Sequence, residues 1–442
     1  MINKIINRIV KDKNNKEVFL KSIVFFVFKV GGFFLGYLFI VLITRYFGKI
    51  TYGLITLAFT VFMIFSVISK LGFDINLTRL TSSGTYSKSQ IKNLYFKATA
   101  IAFLSASIIA SIFILNQEFI SLSVFKKPNF SNYLFWAALA LPFWTVVFIN
   151  AGLFRGLKKN TLFSFFNSFG RFGLASLILL GYILLTEIQN PIAPMVIHLI
   201  AVGILAIGST GIVLKLMSQE TDDKEPIKFK LFFLDSIPIF MSSAVFILLG
   251  WMDRIFLGVF ESEDSLALFD VSAKVALIIG FSLEALNSIL APKVSELYYG
   301  KQTKELQRTI QFTAKTNSLI SLLVFLILLL FSETILSVFG EAFKEGKTIL
   351  IILAIGQLFN CLSGSVGVIL QMTGNQKTYR LIMLYALILN LVLNLILIKP
   401  FGVIGVAIAT SSSMIIWNLI GVILIRRKLS IYPFYLPIKK FN

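Results

Sequence analysis

The sequence predicts an all-α integral membrane protein: twelve transmembrane helices in two six-helix bundles, related by a parallel repeat around a central cavity. Three observations predict it. The 442 residues are 57% hydrophobic and only 14% charged, with mean hydropathy +0.86, whereas soluble domains run near 45–50% apolar and about 25% charged. Apolar runs of the roughly 20 residues needed to cross a bilayer recur twelve times, without the period-2 alternation of a membrane barrel strand. The basic residues, finally, sort by loop. Of the 41 Lys and Arg, 30 lie in or beside the amino terminus, the loops after even-numbered runs and the carboxyl tail, and 8 lie in the other loops. Positive loops stay on the cytoplasmic side, so both termini are expected there. The net charge of +20 thereby has a topological cause and requires no nucleic-acid partner.

The runs fall at 22–44, 52–73, 94–116, 132–154, 161–186 and 192–216, then at 236–260, 266–291, 312–332, 347–372, 379–398 and 402–425. The stretch before the first run is polar and basic and lacks the short apolar core and small-residue cleavage site of a removable signal, so the first run reads as an uncleaved anchor. Residues 218–235, containing SQETDDKEPIKFK, read as a cytoplasmic linker between an N-terminal bundle (1–217) and a C-terminal bundle with a basic cytoplasmic tail (236–442). The halves echo each other. GLKKNT after run 4 (Gly156, Lys159) matches GNQKT after run 10 (Gly374, Lys377) at a spacing of 218, in the same place in the span order. Repeats of this kind are typical of secondary transporters. Pro142, inside run 4, is the expected kink, while Pro238 falls in the first turns of run 7, where proline is nearly neutral.

Ionisable groups near a helix centre carry about 2.5–3.5 kcal/mol each on insertion scales. Five sit deep in the runs: Lys29, Arg171, Asp270, Lys274 and Glu284. At about 100° per residue, Asp270, Lys274 and Glu284 share one stripe of run 8 with Ser288. That stripe is expected to face an aqueous cavity. The alternative is an ordinary i,i+4 ion pair between Asp270 and Lys274. Lys29 lies on the side of Gly32 and Gly36, or snorkels to the interface. Arg171 is too deep to snorkel. Asp253 and Arg254 read as a structural or gating pair. His198 reads as packing within the bundle, with a proton relay as the rarer alternative. Asn390, Asn394 and Thr410 to Ser413 read as interhelical hydrogen bonds.

Enzymatic equipment is missing. There is no phosphate-binding Gly-rich loop and no metal-ligand spacing; the single His and single Cys lie on different helices of different halves. No cofactor is expected beyond a coupling ion, H+ or Na+.

LITRYFGKITYGLITLAFTV (42–61), LGFDINLTRLTS (71–82), DRIFLGVFESEDSLALFDVSAKVA (253–276), LAPKVSELYYGK (290–301), FGEAFKEGKTILIILAIGQLFN (339–360) and GVILQMTGNQKT (367–378) resemble polysaccharide and O-antigen flippases. These belong to the multidrug/oligosaccharidyl-lipid/polysaccharide exporters. The chain departs from the family's Gly-x-Tyr/Phe-small pattern at Ala267, Phe269 and Asp270. The resemblance implies a flippase that carries an undecaprenyl-pyrophosphate-linked oligosaccharide from the inner to the outer leaflet of the bacterial cytoplasmic membrane, for O-antigen or capsule assembly. Lys29, Arg171 and Lys274 would then bind the anionic head group, and Asp270 or Glu284 a coupling ion. A glycan polymerase or chain-length regulator is the partner it implies. An ion-coupled drug antiporter of the same group, a membrane glycan polymerase and a scaffolding subunit are the alternatives.

Overall fold

The computed structural model describes residues 13–218 and 227–435. Residues 219–226 of the expected 218–235 linker, the amino-terminal stretch before residue 13 and the end of the basic tail lie outside the described residues. The helices are α1 (Lys13–Tyr46), α2 (Gly48–Ser69), α3 (Phe73–Ser82), α4 (Lys88–Leu115), α5 (Phe130–Gly156), α6 (Asn160–Leu185), α7 (Ala193–Leu216), α8 (Phe229–Phe260), α9 (Glu263–Tyr299), α10 (Thr303–Leu330), α11 (Glu341–Met372) and α12 (Gln376–Leu429). No strand occurs among the described residues. All but α3 are long and apolar enough to cross a membrane, making eleven. The last has 54 residues, about 80 Å at 1.5 Å per residue, against a hydrocarbon core of about 30 Å. It is broken at Gly402 (φ 55, ψ −136), two residues after Pro400. The expected runs 11 and 12 lie on either side of that break.

The chain divides into unit 1 (Met1–Ala244) and unit 2 (Val245–Asn442). The boundary falls inside α8 and not in the polar linker. α8 starts at Phe229, seven residues before the expected run, so Pro238 is an interior proline and not a first-turn one. Two serines answer it one turn on, Ser242 and Ser243 donating to the carbonyls of Pro238 and Ile239. Pro142 causes no interruption; α5 runs helical through it.

In unit 1, α2 and α5 are the inner helices, 83% and 78% buried over their apolar windows. Ala98, Ala102, Ala106 and Ala110 of α4 are all buried at four-residue spacing against α5, the small-residue stripe that lets membrane helices approach closely. The short α3 fastens the start of α8. Asn76 donates to the Phe232 carbonyl and to Ser236 Oγ, and Arg79 pairs with Asp235. Gly72 (φ 76) lies so near that a Cβ would sit 2.8 Å from the Ser236 carbonyl oxygen. In unit 2, Gly356 brings α11 against Ser411 of α12, whose hydroxyl donates to the Ile352 carbonyl. The end of the described chain is held there too. Gln307 and Gln311 bond the Tyr432 carbonyl, Gln311 also that of Phe434, and the Pro433 carbonyl lies where a Cβ on Gly364 would be. Gly364 (φ 78) marks the interruption of α11 at residues 363–365.

The repeat is present at the corners α5–α6 and α11–α12, in a corrected register. Both close with a Schellman motif, a bond from the residue after the left-handed one to the carbonyl five residues back: Lys159 N to the Phe154 carbonyl, and Asn375 N to the Leu370 carbonyl. The left-handed residues are Lys158 (φ 57) and Gly374 (φ 80). Helix ends, hydrogen bonds and left-handed residues all match at 216, not 218. Gly374 corresponds to Lys158, and the Gly-Lys identity at 218 misaligns the corners by two residues. The corner after α9 repeats the motif through Lys301 (φ 56).

Candidate functional site

Two constellations hold three of the five ions expected at depth: Arg171 in unit 1, and Asp270 with Lys274 in unit 2. In unit 1, Arg171 extends from α6 and is 5% exposed. A π-helical segment, Phe165–Phe169, precedes it; Gly31 and Gly32 of α1 make room for that segment, with a Cβ on Gly32 reaching within 2.9 Å of the Ser168 backbone. Such bulges collect at functional sites. The guanidinium is enclosed by four rings, its Cζ lying 5.2 Å from Phe59, 5.0 Å from Phe62, 5.0 Å from Trp144 and 4.8 Å from Phe172. Its Nε donates to Nε2 of the fully buried His198, 2.8 Å away on α7, and its terminal nitrogen reaches the Met63 sulfur at 3.4 Å. Guanidinium has no acceptor, so His198 is neutral at Nε2. Arg171 pairs with no carboxylate among the described residues. Rings stand in for a counter-ion, since a cation over a ring face within about 6 Å is attracted by its quadrupole. Lys29 of α1 is exposed on its helix and lies outside this cage. A second buried group went unread in the sequence. Lys70 pairs with Asp74 at 2.7 Å and lies 4.4 Å from the Phe148 ring centroid; the i,i+4 spacing was the available signal.

Unit 2 pairs its charges. Asp270, fully buried, accepts from Arg254 Nε at 2.6 Å and from Lys274 Nζ at 2.5 Å. The i,i+4 pair is present, but as one leg of a trio, and the trio carries one net positive charge. Lys274 is its most open member, with 26% of its side chain exposed. Asp253 and Arg254 do not form the pair expected of them. Adjacent helical residues point about 100° apart, and Asp253 turns to a separate cluster: it accepts from Asn390 (3.2 Å), Asn394 (2.8 Å) and Thr410 (2.8 Å). These are the polar residues read as generic interhelical bonds. The signal that could have found them was Asn390 and Asn394 at i,i+4 spacing on one helix face, with a buried acid in need of donors. The expected single stripe of run 8 is divided as well. Asp270 is buried while Glu284 and Ser288 are exposed. The 3₁₀ segment Ile278–Gly280 between them adds roughly 60° over three residues, which leaves Asp270 and Glu284 within about 20° of one direction, so the division is one of burial along the helix and not of face.

The chemistry available differs accordingly. The Arg254–Asp270–Lys274 trio offers a cation to an anionic ligand. The Asp253 cluster is a carboxylate ringed by hydroxyl and amide groups, and Asn394 Oδ1 is buried there without a partner. Oxygen donors of this kind suit a hard monovalent cation or a proton. No group of three or more His, Cys, Asp or Glu with metal-holding geometry occurs among the described residues.

Comparison with known proteins adds to this picture. Residues 19–298 match the family described as "Polysaccharide biosynthesis protein", and residues 238–396 match MatE. The chain is 28% identical over 165 residues to a "Probable low-salt glycan biosynthesis flippase" of Haloferax volcanii, covering 37% of this chain and 35% of the relative. It is 27% identical over 190 residues to the "Capsular polysaccharide biosynthesis protein CapF" of Staphylococcus aureus, covering 43% of this chain and 48% of that one. The chain thus spans between a third and a half of the length of these curated relatives. Among solved structures, the lipid II flippase MurJ in an inward closed conformation superposes with TM-score 0.73 over 92% of this chain and 87% of MurJ, at 18% identity. That likeness shows a shared fold. Eleven apolar helices and these relatives establish a multi-pass membrane protein.

Proposed function

Because the chain belongs to the polysaccharide biosynthesis protein family, within the multidrug/oligosaccharidyl-lipid/polysaccharide exporters, we propose that it flips a lipid-linked glycan across the cytoplasmic membrane. The cargo in this reading is an oligosaccharide on an undecaprenyl-pyrophosphate carrier, taken from inner to outer leaflet by alternating access, with both termini cytoplasmic. The observation that carries it is the net-positive Arg254–Asp270–Lys274 trio with Lys274 partly open. A pyrophosphate head group is anionic and needs such cations away from bulk water, while its lipid tail stays in the bilayer. Lys29, exposed on α1, is a second candidate contact. Arg171 is enclosed by rings and supports the fold of unit 1 rather than a direct contact with cargo.

The coupling ion, H+ or Na+, is assigned to Asp253 with Asn390, Asn394 and Thr410 in place of Asp270 or Glu284. Asp270 already holds two cations; Asp253 holds only neutral donors. A polymerase or chain-length regulator would receive the flipped product. The Haloferax volcanii relative and MurJ are both named as flippases, which supports a transporter over a catalyst.

The test is reconstitution in liposomes with a lipid-pyrophosphate-linked oligosaccharide on one leaflet. Lys274→Gln is expected to slow its appearance on the opposite leaflet by about tenfold, equivalent to about 1.4 kcal/mol. Undiminished rate in protein that still inserts overturns the assignment. The MatE match over 238–396 favours a drug antiporter as the second reading; efflux of a cationic dye by the same liposomes, with no glycan movement, selects it.

A further inference from the structure

The cage around Arg171 holds a group that the proposed transport does not use. Arg171 Nε donates to His198 Nε2 at 2.8 Å, which places the ring proton of His198 on Nδ1, an atom that is buried and has no partner among the described residues. Nε2 is therefore the one lone pair of the imidazole, and the guanidinium occupies it. A proton can take that lone pair only if Arg171 leaves, because imidazolium has two donors and no acceptor and would set two cations face to face. Around the imidazole, α2 contributes Phe59 and Phe62 and α6 contributes Arg171, whose guanidinium in turn meets Met63 of α2 and Trp144 of α5. Arg171 is the charged group those helices bring against it; no carboxylate is among their contacts.

The backbone beside Arg171 supplies a way for it to leave. The π segment Phe165–Phe169 ends two residues before it, and a π segment holds one more residue than the α-helix it interrupts. Relaxing it to α-helix turns the remainder of α6 by one residue's rotation, about 100°, enough to carry Arg171 off the face that meets α7. We propose that His198 is a proton-binding site in unit 1 that Arg171 keeps closed, and that release of the π segment opens it. The proton comes from water and returns to water, and the bond exchanged is the Arg171–His198 hydrogen bond. Once loaded, the imidazolium repels Arg171 and holds the open form, so proton uptake and the rotation of α6 are one event. The inference stands on unit 1 alone and does not depend on what the protein carries.

The chain has a single histidine, so ring-15N-histidine NMR of the full chain in lipid nanodiscs reports on this site alone. Wild-type protein is expected to show a neutral ring with the proton on Nδ1 at about pH 6, near the ordinary midpoint of histidine. Arg171→Gln is expected to raise the imidazolium population at least fivefold at that pH. Insertion of one alanine between Gly170 and Arg171, which turns the remainder of α6 by about 100° and leaves Arg171 in the chain, is expected to do the same. A wild-type ring carrying its proton on Nε2 overturns the proposal without any variant. So does an imidazolium population in Arg171→Gln within twofold of wild type. A folded insertion variant with a wild-type spectrum overturns rotation of α6 as the means of opening.

Discussion

Arg171 in unit 1 and the Asp270 trio in unit 2 are buried by opposite means. Unit 2 assembles opposite charges until little net charge is left: Arg254 and Lys274 on Asp270, with Asp253 wrapped in amides and a hydroxyl. At Arg171, unit 1 instead surrounds a lone guanidinium with four aromatic rings and gives it one neutral hydrogen-bond partner. The difference teaches that the charge of a buried group does not by itself predict what its loss would do. A paired charge depends on each partner; a charge held by ring faces depends on a cage that survives its removal.

That contrast can be broken by measurement. The largest effect is expected in unit 2, where Asp270→Asn leaves Arg254 and Lys274 facing each other without their shared anion. Removing one partner of a buried ion cluster costs about 3–5 kcal/mol, to be read as lost thermal stability in detergent or nanodiscs. In unit 1, Arg171→Met removes the charge but leaves Nε2 of His198 unbonded, worth about 1–3 kcal/mol. The double variant Arg171→Met/His198→Leu, which removes both polar partners, is expected to recover most of that loss, since apolar replacement of a whole buried pair is often neutral. If the single Arg171 variant were as damaging as Asp270→Asn, the two strategies would be equivalent and the contrast would fail.

The smallest effect concerns an exposed pair. Lys347 bonds Glu333 at 2.8 Å and holds its carboxyl below the ordinary range, by hydrogen bonding first and charge second. A depressed acid stabilises above its unfolded value, about pH 4.3, and its contribution disappears as pH falls through the lower folded value. Glu333→Gln is therefore expected to leave stability at neutral pH nearly unchanged and to flatten only the acid limb of a stability–pH curve. An effect at neutral pH rivalling that of Asp270→Asn would show that pairing matters in unit 2 irrespective of burial.

Much of this was legible in the residues. Span positions follow from apolar length, which a bilayer core of fixed thickness enforces, and ten of the expected runs coincide with separate long helices. Irregular backbone was not legible. The π segment at Phe165–Phe169 and the 3₁₀ turn at Ile278–Gly280 change side-chain direction without changing composition. The corner register failed for a related reason. Lys158 and Gly374 are equivalent by conformation, but a lysine and a glycine share no letter, so the identity two residues away drew the alignment. Partner choice was the third gap. Asp253 and Arg254 are neighbours in sequence, and nothing in a linear reading shows that one meets α12 and the other α9.

The clasp of Gln307 and Gln311 on the Tyr432 and Phe434 carbonyls bears on how the molecule is made. The interruption of α11 at Gly364 leaves backbone amides and carbonyls outside regular helix bonding. Pro433, which lies over that point, follows α12 in the chain and is made only after it. During synthesis α11 therefore enters the membrane with its weak point uncovered and waits for nearly the whole of α12 before the cover arrives, so a chain truncated just short of residue 430 would complete every helix and still leave this seam open.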